Sequence, residues 1–249
     1  MILRKFIFTS LLFVGILFSL PSFAMTIVVD PGHGGDEDGA IAQTVGENPP
    51  RVIKEKDLTL SIAKKIHDLL KKKGYRVFLT RSVDRTVTLA ERAAIAEKTK
   101  ADLFISVHIN SSTEHNATGF ETYYLDNHQD AAIKKVESIE NIQRGNQDTI
   151  VEQILVDLVV EQTVKTSRPL AQAINQSLKL GLGKKYRIPS RGAKPGLFYV
   201  LALSKRPGVL LEAGFLSTLK DRQKIMDEKY QMDYAHSVVE GINEYLKKK

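Results

Sequence analysis

Short apolar runs alternate with longer stretches of helically spaced apolar positions along most of this chain. Residues 26–30 (TIVVD) form a β-rich run that stops at Pro31-Gly32, the pattern of a strand entering a loop. From Glu55 onward, Leu58, Ile62, Ile66, Leu69 and Leu70 recur at helical spacing until three lysines and Gly74 close the run. Residues 75–80 predict a second strand. Thr88 opens a helix with Leu89, Ala93 and Ala96 on one face, and residues 102–107 and 119–125 predict two more strands. Residues 126–167 carry no strand pattern. They predict helices over 131–142 and 149–164, separated by Arg144-Gly145-Asn146, and read as a helical insertion. After Arg168-Pro169 the alternation resumes. A helix over 170–180 closed by Gly181 and Gly183 is expected, then strands over 197–201 and 209–212, then helices over 220–226 and 234–246. Short apolar strands alternating with helices predict an α/β fold: a mainly parallel, twisted sheet flanked by helices.

The first 24 residues follow a different pattern. Arg4 and Lys5 precede an uncharged apolar run over 6–20, followed by Pro21 and the small-residue pattern Ser22-Phe23-Ala24. That order is the layout of a secretory signal peptide, so residues 1–24 are expected to be removed, leaving a single domain over 25–249. The apolar run is shorter than the roughly 20 residues a membrane-spanning helix needs, so no stable membrane anchor is expected after cleavage. There are no cysteines, which excludes lipid attachment near the cleavage point, disulfides and thiolate metal ligands. Any metal must be held by His and carboxylates. Loss of Arg4 and Lys5 lowers the formal charge from +7 to +5. A basic exported chain suits an anionic polymer such as a cell wall. Nucleic acid would fit the charge as well, but export and the lack of a recognised motif argue against it. A monomer is expected.

Ligands of open α/β sheets bind beyond the carboxyl ends of the strands. Here the first strand runs into Pro31-Gly32-His33-Gly34-Gly35, the third runs into His108, and the 209–212 strand ends at Glu212. Glu55 opens the first long helix. If the sheet is mainly parallel, all four reach one edge. Two His and one carboxylate are a common catalytic zinc set with a fourth position free, and a further carboxylate is then needed to move protons. His33, Glu55 and His108 suit the first role and Glu212 the second. Each has a plainer reading. Glu55 could simply be an acid at a helix N-terminus, and His33 could be a structural loop residue. Glu212 is the most unusual, because a carboxylate at an apolar strand end costs free energy unless it is paired or functional. His67, His115, His128 and His236 fall on helices or polar loops and read as surface residues.

Six stretches together resemble the zinc-dependent N-acetylmuramoyl-L-alanine amidases of the type-3 family. They are VVDPGHGG (28–35), KEKDLTLSIAKKI (54–66), LTRSVDRTVTLAERAAIA (79–96), ADLFISVHINS (101–111), GFETYYL (119–125) and VLLEAGFLST (209–218), and they occur in family order. The resemblance implies a Zn2+ ion held by His33, Glu55 and His108, with Glu212 as the catalytic carboxylate. It implies cleavage of the amide between N-acetylmuramic acid and L-alanine of peptidoglycan, in wall remodelling or daughter-cell separation. Arg81, Asp84 and Arg92 match family positions and are expected to support structure. The chain departs from the pattern at Glu37-Asp38, where the family usually has Asp then Pro, and at Thr218, often Asn. Both departures bear on loop shape and fine specificity. The insertion is similar to the helical segment of periplasmic division amidases, in which an acidic residue reaches the metal until an activator with a LytM-type domain displaces the helix. By that likeness Glu140 is the expected blocking residue, with Glu137 as the alternate and a solvated acidic face as the plain reading. The second helix, through Ile150, Ile154, Leu155, Leu158 and Val159, would dock the activator or pack on the core. The insertion favours the periplasm over the outer medium. Two other readings stay open: a non-catalytic peptidoglycan-binding protein on the same fold, and a zinc peptidase acting within the stem peptide.

Overall fold

The computed structural model describes residues 25–114, 116–128, 130–141 and 150–248. The expected signal peptide, His115 and the Arg144-Gly145-Asn146 break lie outside them. A six-stranded sheet forms the centre, in the order β4 (Arg76–Leu79), β1 (Thr26–Pro31), β5 (Leu103–Asn110), β8 (Gly208–Phe215), β6 (Phe120–Leu125), β7 (Ser190–Gly196). The first four run parallel to one another. β6 joins β8 antiparallel, and β7 joins β6 parallel. A separate two-stranded ribbon, β2 (Ile41–Gln43) with β3 (Val52–Lys54), precedes the first helix.

The central strands β1, β5, β6 and β8 are buried along their whole length, which explains their near-continuous apolar sequences. One face is covered by α1 (Glu55–Lys72), the C-terminal part of α4 (Ile150–Tyr186) and α7 (Glu228–Leu246). Ile62, Ile66, Ile174, Leu178, Tyr234 and Val238 pack there against Ile27, Ile105, Val107 and Leu211. On the other face, Ala96 of α2 (Leu89–Lys98), Ile133 of α3 (Ala131–Glu140), Val159 of α4 and Leu201 of α5 (Tyr199–Ser204) meet Val28, Phe104, Tyr123 and Leu210. The last short helix is α6 (Leu219–Ile225). Local chemistry sets the helix starts. Thr88 and Glu91 form a reciprocal capping box on α2, and Asp130 and Asp227 cap α3 and α7.

Two expectations are corrected. The apolar run 197–201 is not a strand: Tyr199–Ser204 is helical, and the strand lies just before it in Ser190–Gly196. That segment (SRGAKPG) lacks strand patterning because it is an edge strand, paired only with β6, where Lys, Gly and Pro are tolerated. Nor does Arg168-Pro169 divide two helices, since α4 runs continuously with Pro169 inside it. The apolar face through Leu170, Ile174, Leu178 and Leu182 is fully buried, and that packing outweighs the lost hydrogen bond. Gly181 lies within the helix, where an added Cβ would meet Ser237 Oγ at 2.3 Å, so it serves close approach to α7 rather than termination.

Candidate metal centre and the cleft around it

Three segments build the centre. β1 delivers the loop that begins at Gly32, β5 carries His108, and α1 starts at Glu55. His33 takes a left-handed backbone conformation, with φ of 57°. Two buried guanidinium groups fix this loop. Arg81 donates to the carbonyls of Pro31, Gly32 and Lys56, while Arg92 donates to those of Pro31 and His33 and to Asp30. Asp30 also accepts from Thr80 and Ser106. Arg81 and Arg92 therefore act structurally, in line with expectation. Gly32 has no room for a side chain, because a Cβ there would lie 2.4 Å from the His108 ring.

Within this frame His33, Glu55, His108 and Glu140 each offer one ligand atom, all within 4.8 Å of one another. Glu55 Oε1 lies 3.2 Å from His33 Nε2 and 3.4 Å from His108 Nδ1, and Glu140 Oε2 lies 3.5 Å from His33 Nε2. Donors around a tetrahedral zinc, at 2.0–2.2 Å from the ion, stand about 3.4 Å apart. A fourth separation, Glu140 Oε2 to His108 Nδ1, is 2.6 Å, shorter than that spacing. Apart from these contacts with one another, His33 Nε2, His108 Nδ1 and Glu140 Oε2 are buried without a hydrogen-bond partner among the described residues. Glu55 is oriented by backbone donors, Ile109 N to Oε1 and Ala40 N to Oε2, both at 2.8 Å. Burial works against charge on every member of the group. Glu55 and Glu140 nevertheless outweigh it and raise His33 to about 10 and His108 to about 9, while the imidazoles hold both carboxyls below their ordinary range. The carboxylates therefore call for positive charge at the point they share. A divalent cation meets that demand, and the donor set fits zinc.

Glu212 sits beside this group. Its strand position is opposite His108 on β5 and opposite Glu121 on β6, so the three side chains share one face of the sheet. It is fully buried, and neither carboxyl oxygen has a partner among the described residues. Burial first, and then the charges of Glu140, Glu55 and Glu121, push its pKa well above the ordinary value.

Glu140 reaches the centre from α3, and Glu137, one turn earlier, faces elsewhere. It meets His128 Nε2 at 2.6 Å and accepts from the amide of Leu197. Asn141 then ties the helix end to the start of α5 and the residues just before it, donating to Leu197 O at 2.9 Å and accepting from Tyr199 N at 3.0 Å. The acidic residues of α3 are thus buried rather than solvated. The surface reading of His128 is corrected, since its side chain is 6% exposed against Glu137. His67 is half-buried beside Asp68, and His236 is exposed. On α4, Val159 packs in the core whereas Ile154, Leu155 and Leu158 are exposed; the side chain of Ile150 lies outside the described residues.

Helix α3 divides a cleft. A cavity of about 370 Å³ on one side is lined by His33, His108, Leu89, Phe198 and Glu140. A second of about 530 Å³ on the other side is lined by Asn110, Glu121, Arg191, Lys194 and Phe215, and Ser111 and Ile139 line both. Glu121, Arg191 and Lys194 were not singled out from sequence. The only signal was a charged residue inside the fully buried strand β6.

Residues 27–244 match the family described as N-acetylmuramoyl-L-alanine amidase. The N-acetylmuramoyl-L-alanine amidase AmiA of Escherichia coli (strain K12) is 32% identical over 229 residues, 88% of this chain and 75% of that protein. An N-acetylmuramoyl-L-alanine amidase of Clostridium difficile 630 has a similar solved structure, with a TM-score of 0.69 at 31% identity over 92% of this chain and 100% of that one. The CwlD amidase of Clostridioides difficile, solved in complex with the GerS lipoprotein, gives 0.68 at 26% identity, over 90% of this chain and 100% of that one.

Proposed function

The chain belongs to the N-acetylmuramoyl-L-alanine amidase family, and from that we propose how its own residues carry the reaction. It hydrolyses the amide between N-acetylmuramic acid and L-alanine of peptidoglycan. His33, Glu55 and His108 would hold a zinc ion, which when bound would polarise the amide carbonyl and lower the pKa of the attacking water. The observation that carries this reading is the convergence of His33, Glu55 and His108 from three separate segments on one point, beside the buried Glu212, whose carboxyl oxygens have no hydrogen-bond partner among the described residues. The backbone donors of Ala40 and Ile109 hold the Glu55 carboxylate in place. Glu212 takes one proton from the attacking water and returns it to the alanine nitrogen as the carbon–nitrogen bond breaks. The Glu212 carboxyl group thus ends as it began; the second water proton stays with the new lactyl acid and passes to the amine, so the products are a lactyl carboxylate and an ammonium group.

As the chain stands, Glu140 occupies the fourth corner of the donor set and α3 lies across the cleft. This supports an autoinhibited resting state over residues 126–167, with α3 as the blocking element. The exposed apolar residues Ile154, Leu155 and Leu158 are where an activator of LytM type would engage α4 and draw α3 away. Residues 1–24 act as an export signal and the mature domain works in the periplasm. No helix among the described residues is long and apolar enough to cross a membrane.

The test is digestion of purified peptidoglycan by the zinc-loaded mature protein and its Glu140→Ala variant, followed by mass spectrometry. Free stem peptides beginning at L-alanine, with intact glycan strands and complete loss on chelation, are expected. Fragments cut within the stem would replace the amidase reading with a peptidase. No cleavage by either protein would leave a wall-binding role.

A further inference from the structure

The reaction fixes which way the substrate lies. Its carbonyl faces the His33–Glu55–His108 group and its nitrogen faces Glu212. The peptide therefore leaves past Glu212 toward β6 and β7, into the larger of the two cavities. There Glu121, 2% exposed and opposite Glu212, receives Arg191 Nε at 2.6 Å and Lys194 Nζ at 2.8 Å. It also accepts from Asn110 Nδ2 and Tyr123 OH, both within 2.9 Å. One cation would neutralise this acid; two leave an excess positive charge directed at the cavity. The other charges lining it, Glu114 and Lys135, cancel. Only Nε of Arg191 is engaged among the described residues, and its guanidinium lies 5.3 Å over the Phe215 ring, with the terminal nitrogens available for a planar anion.

We propose that Arg191 and Lys194 form a carboxylate-recognising subsite that selects stem peptides with a free carboxylate on the residue after L-alanine. The proposal rests on the amidase reading. Distances agree with it. A carboxyl group one residue beyond the scissile nitrogen lies roughly 6–7 Å away. Neighbouring strands are about 4.8 Å apart, so the cations on Glu121 stand about one peptide residue from Glu212. Ile133, Val136 and Ile139 of α3 also line this cavity, so displacing the helix opens the subsite and the catalytic centre together.

The experiment uses the zinc-loaded Glu140→Ala protein and two synthetic muropeptides. These are identical except that the second stem residue carries either a free α-carboxylate or the amide. A charge-assisted pair is expected to give a preference of roughly tenfold to a hundredfold in kcat/KM for the carboxylate. Arg191→Gln and Lys194→Gln should each reduce that preference by lowering the rate on the free carboxylate alone. Each leaves one cation on Glu121, and Lys194→Arg should retain the preference. Equal kcat/KM on the two muropeptides would overturn the subsite while leaving the amidase intact. So would an undiminished preference in both Gln variants. The substrate comparison needs no change within the subsite, so a variant that misfolds does not shield the proposal. Failure to cleave either muropeptide or whole peptidoglycan would remove the amidase reading and the subsite with it.

Discussion

On the autoinhibited reading, replacing Asn141 by Ala should raise the basal activity. The Asn141 side chain joins the end of α3 to the start of α5 through two hydrogen bonds, to Leu197 O at 2.9 Å and from Tyr199 N at 3.0 Å. These backbone groups reach water once the helix lifts, so each bond contributes only its net value, about 0.5–1.5 kcal/mol. Losing both weakens the closed state by about 1–3 kcal/mol and moves the closed-to-open equilibrium by roughly 5-fold to 150-fold. While the open fraction is small, basal activity rises by the same factor. The assay is dye release from labelled peptidoglycan by zinc-loaded protein without activator, with Glu140→Ala as the reference that lacks the blocking carboxylate. The melting temperature of the main domain should hardly move, because among the described residues the Asn141 side chain hydrogen-bonds only to Leu197 and Tyr199. An unchanged basal rate in N141A would refute the latch. Native protein already as fast as E140A would refute the autoinhibited resting state.

Glu212→Gln in the E140A background should keep its zinc, measured by elemental analysis, and lose roughly a hundredfold to ten-thousandfold in kcat; normal turnover would remove Glu212 from proton transfer. Asp30 governs acid stability. Burial opposes its charge, but Arg92 and the Thr80 and Ser106 hydroxyls outweigh it and hold its pKa below 3.8 in the folded state. A depressed folded pKa means that this contribution is complete above the unfolded value and is lost as pH falls through the folded one. Asp30→Asn should therefore cost about 3–5 kcal/mol at neutral pH, as expected for breaking a buried pair. The difference from the native protein should shrink below about pH 4 in denaturant titrations. A constant difference across that range would contradict the role given to the Asp30–Arg92 pair.

Much of this protein was determined by local sequence. Strands buried on both faces must be apolar, so β1, β5 and β8 stood out, and helical spacing marked α1 and α7. The four residues His33, Glu55, His108 and Glu212 were visible as polar breaks at the ends of apolar elements, because a buried polar group is costly unless it has a task. Tertiary structure decided what local pattern does not encode. Edge strand β7 pairs on one side only and carries Arg191 and Lys194 instead of apolar alternation. Pro169 lies inside a helix because packing against α7 and the sheet outweighs one lost bond. Whether Glu137 or Glu140 turns toward the centre depends on how α3 docks, since residues three apart on one turn differ in direction by about 60°. That choice rests on the Glu137 and Asn141 contacts with Leu197 and Tyr199, more than fifty residues along the chain.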